Sequence, residues 1–291
     1  MTILKSWDSF IWDLGAGQEH EVLSKGELTI LKALYNLSNP EGVFVDVGAY
    51  IGYYSVRMIP HFKKVIAFEP NPYSYVKLIK NVQLNYGKDY TNFFTAYNFA
   101  LGDKHEHKKF YIRQASSTFM PLDNHKYPIL ETIDVEVRRM DDVVDVADVV
   151  KIDTEAYELY VIKGMGRILE ECKPSLVIEH HEWRGYKINQ YQEIRRLLSK
   201  MGYICMNLRY GNEGAHKLYH HPDRGLEKVY DMVAWHWINY CLENISKGRP
   251  WYYGLPYTWW WGMSLIDFIF EIRNHVEDEP EWINLIKQEH P

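Results

Sequence analysis

The chain has 291 residues, 46% of them apolar and 25% charged, with a formal net charge of −6. That length suits one large α/β domain with additions, and the acidic balance argues against a nucleic-acid partner. The three cysteines, Cys172, Cys205 and Cys241, make neither a CxxC pair nor a disulfide framework, which predicts a reducing, cytoplasmic setting; no transmembrane helix is expected, and Met1 to Gly17 lacks a signal-peptide core.

Residues 1–39 read as an N-terminal arm carrying Trp7, Phe10 and Trp12, followed by one or two helices over Glu19 to Leu37. Ser24 with Glu27 three residues on is a capping pattern, and Leu28, Leu31, Leu34 and Leu37 make an apolar stripe. The main domain is expected over residues 40–239. It opens with the apolar run Val43 to Val47, which ends in a turn, Gly48-Ala49-Tyr50-Ile51-Gly52, before helix-compatible spacing over Tyr53 to Ile59. A second strand, Val65 to Phe68, ends in Glu69-Pro70-Asn71-Pro72 and leads into a helix over Tyr73 to Leu84. Phe93 to Phe99 is a third strand.

Lys109 to Arg113 and Ile133 to Arg139 then alternate apolar and polar residues, as antiparallel strands do. Asp148 to Ile152 is an apolar strand ending in Asp153, with a helix expected over Tyr157 to Glu170. Ser175 to Ile178 is a strand ending in Glu179-His180-His181-Glu182. Tyr191 to Met201 is helical, and Tyr203 to Asn207 and Val229 to Trp237 are read as the last two strands. The order predicts a doubly wound, mostly parallel α/β sheet with a β insertion and an antiparallel final strand. Residues 240–291 form an aromatic-rich extension with Trp251-Tyr252-Tyr253 and Trp259-Trp260-Trp261. Packing on the main domain, stacking of sugar rings, and oligomer or membrane-surface contact are all compatible with it.

In such sheets ligands bind at the carboxyl ends of the strands. Those ends carry Asp46 and Gly48, Glu69, Asn98, Asp153, and Glu179-His180-His181. Glu69 follows the Gly turn by about 20 residues, the separation at which a carboxylate meets ribose hydroxyls. A dinucleotide site fits poorly, because the turn lacks the second glycine of Gly-x-Gly-x-x-Gly, and no Gly-Lys-Ser/Thr marks a phosphate loop. Glu69 also suits the positive end of the following helix.

The segments Asp46 to Ser55, Phe68-Glu69-Pro70, Asn98 to Gly102 and Lys151 to Glu158 occur in order and together resemble the FkbM family of S-adenosylmethionine-dependent methyltransferases. Ser116-Ser117, Val135 to Asp142, Gly164 and Pro174 to Glu179 continue the resemblance, which covers roughly residues 20 to 235. It implies a class I, Rossmann-like methyltransferase domain over 40–239. It also implies methyl transfer to a hydroxyl of a sugar, glycan or glycosylated small molecule. By the resemblance, Asp46, Gly48, Ala49, Tyr50 and Gly52 surround the methionine part of S-adenosylmethionine, Glu69 holds its ribose, and Asn98 and Ala100 lie near its adenine. Two departures stand beside the expected site: Tyr50 replaces the usual Asn, and Ala156-Tyr157 replaces Gly-Ala.

A hydroxyl acceptor has to lose its proton as the new bond forms. Asp153 is the candidate base, with His180 and His181 as further candidates, one of the two being expected to face the cleft. Glu155, Tyr157 and Glu179 are candidate substrate contacts, while Glu158 is read as a carboxylate at a helix N-terminus. Carboxylate and imidazole together also make Asp153, Glu179 and His180 candidate ligands for a divalent metal. The alternatives are a nitrogen or carboxylate acceptor, or a non-catalytic binding protein of this fold.

Overall fold

The computed structural model describes residues 2–14, 22, 28–113, 117–120, 128–181, 190–208, 216–225 and 245–250. The expected cap at Ser24 and Glu27, the strand over 229–237, Ser116, Glu182 and the aromatic clusters from residue 251 onward lie outside them. In chain order the elements are β1 (Thr2–Lys5), β2 (Ile11–Leu14), α1 (Leu28–Asn36), β3 (Asn39–Val47), α2 (Tyr53–Met58), β4 (Phe62–Phe68) and α3 (Pro72–Tyr86). Next come β5 (Phe94–Tyr97), β6 (Ala100–Leu101), β7 (Glu106–Ile112), β8 (Glu131–Arg138), β9 (Val149–Ile152), α4 (Glu158–Lys163) and α5 (Gly166–Glu171). The described part ends with β10 (Ser175–Glu179), α6 (Gln190–Lys200), β11 (Ile204–Asn207) and β12 (His216–His220).

Seven strands form the central sheet in the order β11-β12-β10-β9-β3-β4-β5. The five from β10 to β5 are parallel, whereas β12 runs antiparallel to both β10 and β11. Successive residues of a strand point to opposite faces, and here both faces are covered. Phe44, Val65 and Val149 pack with Leu31 and Leu34 of α1, Val56 of α2 and Leu78 and Val82 of α3. Val45, Ile66 and Val150 pack with Leu159 and Ile162 of α4, Ile168 of α5 and Ile194 and Leu198 of α6. The doubly wound, mostly parallel expectation holds, and an antiparallel strand completes the sheet: His216–His220, a stretch the hydropathy pattern did not pick out.

Between β5 and β9 the chain forms a second sheet, β6-β8-β7, with its own core of Ala100, Phe110, Ile112, Phe119, Val135, Val137 and Tyr157. The helix expected over 157–170 is instead two short helices. Gly164 lies so close to the Gly102 carbonyl that an added Cβ would stand 1.8 Å from its oxygen. Asp141 restarts the second helix, its carboxylate accepting the Arg167 and Ile168 amides at 3.1 Å each. The prolines after Glu69 act as read: Asn71 caps α3, accepting from the Tyr73 amide at 3.0 Å, and Pro72 is its first residue.

The N-terminal hairpin β1–β2 packs on the main core. The Ile11 and Asp13 amides donate to Asn85 and Asn81 of α3 at 2.8 and 2.6 Å. Arg57 of α2 is buried beneath the hairpin, its guanidinium donating to both Asp8 oxygens at 2.5 and 3.2 Å. Trp12 and Tyr53 rings face the same guanidinium at 4.9 and 4.1 Å. No helix among the described residues is long and apolar enough to cross a membrane.

Candidate active site

The turn after β3 is fixed from two sides. The Gly48 and Ala49 amides donate to the Phe68 carbonyl at 2.9 and 3.0 Å, and the Asp153 amide donates to Val47 at 3.0 Å. Gly48 has φ of +79°, and a Cβ there would meet the Asp153 carbonyl oxygen at 1.8 Å, so only glycine fits. Tyr50 also takes a positive φ, 52°, in a turn where a left-handed residue is required. Its amide donates to Glu69 Oε2 at 2.7 Å, while the Asn71 amide donates to Oε1 at 2.8 Å. Glu69 is thus tied to the turn, with further lone pairs on both oxygens. Burial outweighs these two hydrogen bonds and pushes its carboxyl up to about 7.

Asp46 is buried and accepts from Ser55 Oγ of α2 at 2.6 Å; burial raises its carboxyl despite that bond. Gly52, with φ of +91°, packs against Leu78 of α3, 2.7 Å from where its Cβ would be. The Asn98 amide nitrogen donates to the Glu69 and Pro70 carbonyls at 2.8 and 3.2 Å, so this side chain holds the backbone beneath the carboxylate. Ala100 is buried in the small-sheet core, paired with Val137.

The second half of the site stands at the ends of β9 and β10. His181 is surrounded by carboxylates: Nδ1 lies 3.1 Å from Glu158 Oε1, and Nε2 lies 3.5, 3.7 and 3.9 Å from Glu155, Glu179 and Asp153. Burial by itself would lower the imidazole pKa. The Glu158 hydrogen bond and the charges of Glu158, Glu155 and Asp153 outweigh it and hold His181 well above its ordinary value. Burial and the Glu179 charge push Asp153 well up, against the pull of Lys151 and His181. Glu179 is held down despite burial, because His216 stands 3.1 Å from its Oε2 and Lys151 is near.

His180, the neighbour of His181, points elsewhere. Its Nε2 lies 3.1 Å from the Tyr219 hydroxyl, its ring packs edge-on to Tyr191 and Tyr219, and burial lowers its pKa to about 3. Of the paired histidines it is His181 that faces the carboxylates. The carboxylate–imidazole group that the chain brings together is therefore Asp153, Glu179 and His181, with His180 outside it. Tyr157 is likewise directed away from the carboxylates: it is buried in the small-sheet core, with Phe119 and Tyr160 rings at 4.6 and 4.5 Å.

Three residues at the site were not assigned this role from the sequence. Lys151, in the middle of the apolar run Val149-Val150-Lys151-Ile152, is fully buried with Nζ 3.2 Å from Asp153 Oδ2. A lysine inside a central strand is itself a signal, since a buried charge needs partners. Glu158 is more than a helix-end carboxylate: Oε1 accepts the Thr154 and Ala156 amides at 3.2 and 3.1 Å and also faces His181. His216, on the strand that hydropathy missed, reaches Glu179.

A seven-stranded sheet in this order, with the antiparallel strand set between β10 and β11 and polar groups gathered at the carboxyl ends, is the Rossmann-like architecture of class I methyltransferases. Within that class, the model of the methyltransferase FkbM domain matches residues 46–205, and the chain belongs to this family. Among solved structures, methyltransferase FkbM of Methylobacillus flagellatus KT is similar over 62% of this chain and 44% of its own, with 21% identity and a TM-score of 0.46. The chain thus spans less than half the length of that protein. TYW2 of M. jannaschii, solved in complex with AdoMet, is similar over 75% of this chain and 83% of its own, with 21% identity and a TM-score of 0.42. An rRNA methylase of Streptococcus thermophilus is similar over 65% and 92%, with 10% identity and a TM-score of 0.40. No curated protein matches the chain.

Proposed function

We propose that this methyltransferase binds S-adenosylmethionine along the Gly48–Gly52 turn and transfers its methyl group to a hydroxyl of a sugar, glycan or glycosylated small molecule. The observation that carries the reading is the placement of Glu69, whose two carboxylate oxygens are fixed by the Tyr50 and Asn71 amides at the lip of the turn. A carboxylate so held accepts the two ribose hydroxyls of a nucleoside without further reorganisation. Asp46, Gly48, Ala49, Tyr50 and Gly52 then form the wall around the methionine part, and Asn98 supports the ribose-binding segment from below.

Methyl transfer from a sulfonium needs the acceptor in line with the S–CH3 bond, and the protein contributes mainly position. As the C–S bond breaks and the C–O bond forms, the acceptor hydroxyl releases a proton. Asp153 is the acceptor of that proton, because its raised carboxyl pKa brings it closer to the pH at which a carboxylate is an effective base. His181, whose imidazole pKa is raised by the carboxylates around it against the pull of burial, orients that cluster. Glu155 and Glu179 are the groups within reach of further substrate hydroxyls. The same negative charge disfavours a carboxylate acceptor and would attract an amine, which gives its proton to a carboxylate of the cluster before its nitrogen attacks the methyl group, so an amino group is the second reading.

Incubation with methyl-labelled S-adenosylmethionine and a panel of neutral sugars, amino sugars and sugar acids tests both. The reading expects label in an alkali-stable ether of a neutral sugar. Label confined to nitrogen, or to an alkali-labile ester, would replace it.

A further inference from the structure

The geometry points to a divalent-cation site formed by Asp153 Oδ1, Glu179 Oε1 and His181 Nε2, with Glu155 beside it. The residues end two neighbouring strands, and one ligand atom from each of Asp153, Glu179 and His181 lies within 4.8 Å of the other two. His181 Nε2 is 3.9 Å from Asp153 Oδ1 and 3.7 Å from Glu179 Oε1, with Glu155 Oε2 at 3.5 Å. Donors bound to one ion at roughly 2.1–2.3 Å stand about 3–3.7 Å apart, so side-chain shifts of up to about 1 Å would close the set on a cation.

A second feature distinguishes this group from an ordinary acidic patch. Each of the three side chains has its other polar atom held by a different neighbour, leaving one atom aimed inward. Glu158 Oε1 stands 3.1 Å from His181 Nδ1, His216 Nε2 stands 3.1 Å from Glu179 Oε2, and Lys151 Nζ stands 3.2 Å from Asp153 Oδ2. A carboxylate on the far nitrogen of a histidine fixes its tautomer and turns the other nitrogen toward a metal, which displaces the proton that nitrogen carries. Glu158 is in turn anchored by the Thr154 and Ala156 amides, and His216 and Lys151 are buried in strands, so the supports are rigid. The charge agrees: four carboxylates lie within 4 Å of one imidazole, and Lys151 is the cation paired with Asp153. Two carboxylates with one imidazole suit a first-row ion such as Mn²⁺.

The inference rests on the methyl-transfer reading for what the ion does, but not for where it sits. A cation here would bind the acceptor hydroxyl and lower its pKa. With the ion bound, Asp153, the proton acceptor of the metal-free reaction, would serve as a ligand instead, and Glu155 would take the proton as the S–CH3 bond breaks and the O–CH3 bond forms. Glu158, His216 and Lys151 are positioning residues.

The test is a titration of chelator-treated full-length protein with MnCl2, read by calorimetry and by electron spin echo modulation of the bound ion. One Mn²⁺ per chain is expected, with the modulation of a single imidazole nitrogen. His181→Ala should abolish that modulation and weaken binding more than tenfold, Glu158→Gln should weaken it about tenfold, and the surface variant His107→Ala should leave it unchanged. Failure of the unmodified protein to hold Mn²⁺, or nitrogen modulation that survives in His181→Ala, would overturn the site. S-adenosylhomocysteine is titrated into the same samples: if it binds where Mn²⁺ does not, the cation site falls and the cofactor reading stands. If Mn²⁺ binds where the nucleoside does not, the reverse holds.

Discussion

Arg57 and Lys151 are both fully buried cations, yet their surroundings differ in how many carboxylates each faces. Among the described residues Arg57 faces one, Asp8, gripped through two nitrogens, while its third nitrogen donates to the Tyr53 carbonyl at 3.0 Å and the rings of Trp7, Phe10, Trp12 and Tyr53 stand around it. That pairing closes on itself and holds the N-terminal hairpin to α2. Lys151 has Asp153 beside it, with Glu179 and Asp46 close enough to raise its pKa against the downward pull of burial. Its charge falls short of what surrounds it. An excess of one sign is costly to bury, and it persists where a ligand completes the balance. A sulfonium cofactor, a metal ion or both would do so.

Substitutions separate the two regions. The largest effect is expected at the carboxylate beside Lys151. Asp153→Asn should lower turnover about 10²–10⁴-fold while leaving S-adenosylhomocysteine affinity nearly unchanged, as measured by methyl release and calorimetry. Unchanged turnover would remove Asp153 from the mechanism. Next come the cations themselves. Arg57→Met breaks a closed buried pair and should cost about 3–5 kcal/mol in urea unfolding. Lys151→Met should behave differently, because Asp153 and Asp46 can respond by taking up protons. Their folded pKa values, already raised, would rise further. A carboxyl raised in the folded state contributes stability at low pH that is lost as pH increases. The Lys151→Met urea midpoint should therefore stay near the parent at pH 5 and fall toward pH 8. A pH-independent deficit like that expected at a closed pair would erase the distinction.

The smallest effect lies in the backbone joining β9 to α4. Glu155 and Ala156 take φ of 52° and 75°, consecutive left-handed residues in a region that favours glycine. The turn is held by Thr118 Oγ1 donating to the Glu155 carbonyl at 2.5 Å and by Gln190 donating to the Ala156 carbonyl at 2.9 Å. Ala156→Gly should raise stability by about 1 kcal/mol without moving Glu155. A loss of stability would mean that the Ala156 methyl packs more favourably than its backbone is strained.

Much of the fold was legible because the central strands are buried on both faces. Val43 to Val45, Val65 to Phe68 and Leu176 to Ile178 are unbroken apolar runs for that reason. β12, His-Lys-Leu-Tyr-His, was not legible, since two of its buried residues are histidines stabilised by partners far along the chain, Glu179 and Ser175. Hydropathy sees a polar residue and cannot see the group it meets. The glycine turn with Glu69 was readable from spacing. The choice between His180 and His181 was not, because alternation says that neighbours diverge but not which one turns inward. Lys151 carries its own signal, since a charge in the middle of an apolar strand needs a buried partner.

The central claim is the nucleoside cofactor at the Gly48–Glu69 lip, and calorimetry with S-adenosylhomocysteine tests it most directly. One molecule per chain should bind, about tenfold more tightly at pH 8 than at pH 6, because the ionised carboxylate accepts the ribose hydroxyls and Glu69 titrates near 7. Glu69→Gln should weaken binding and flatten that dependence. Absence of stoichiometric binding by the unmodified chain, or a Glu69→Gln variant that binds like it at every pH, would contradict the account.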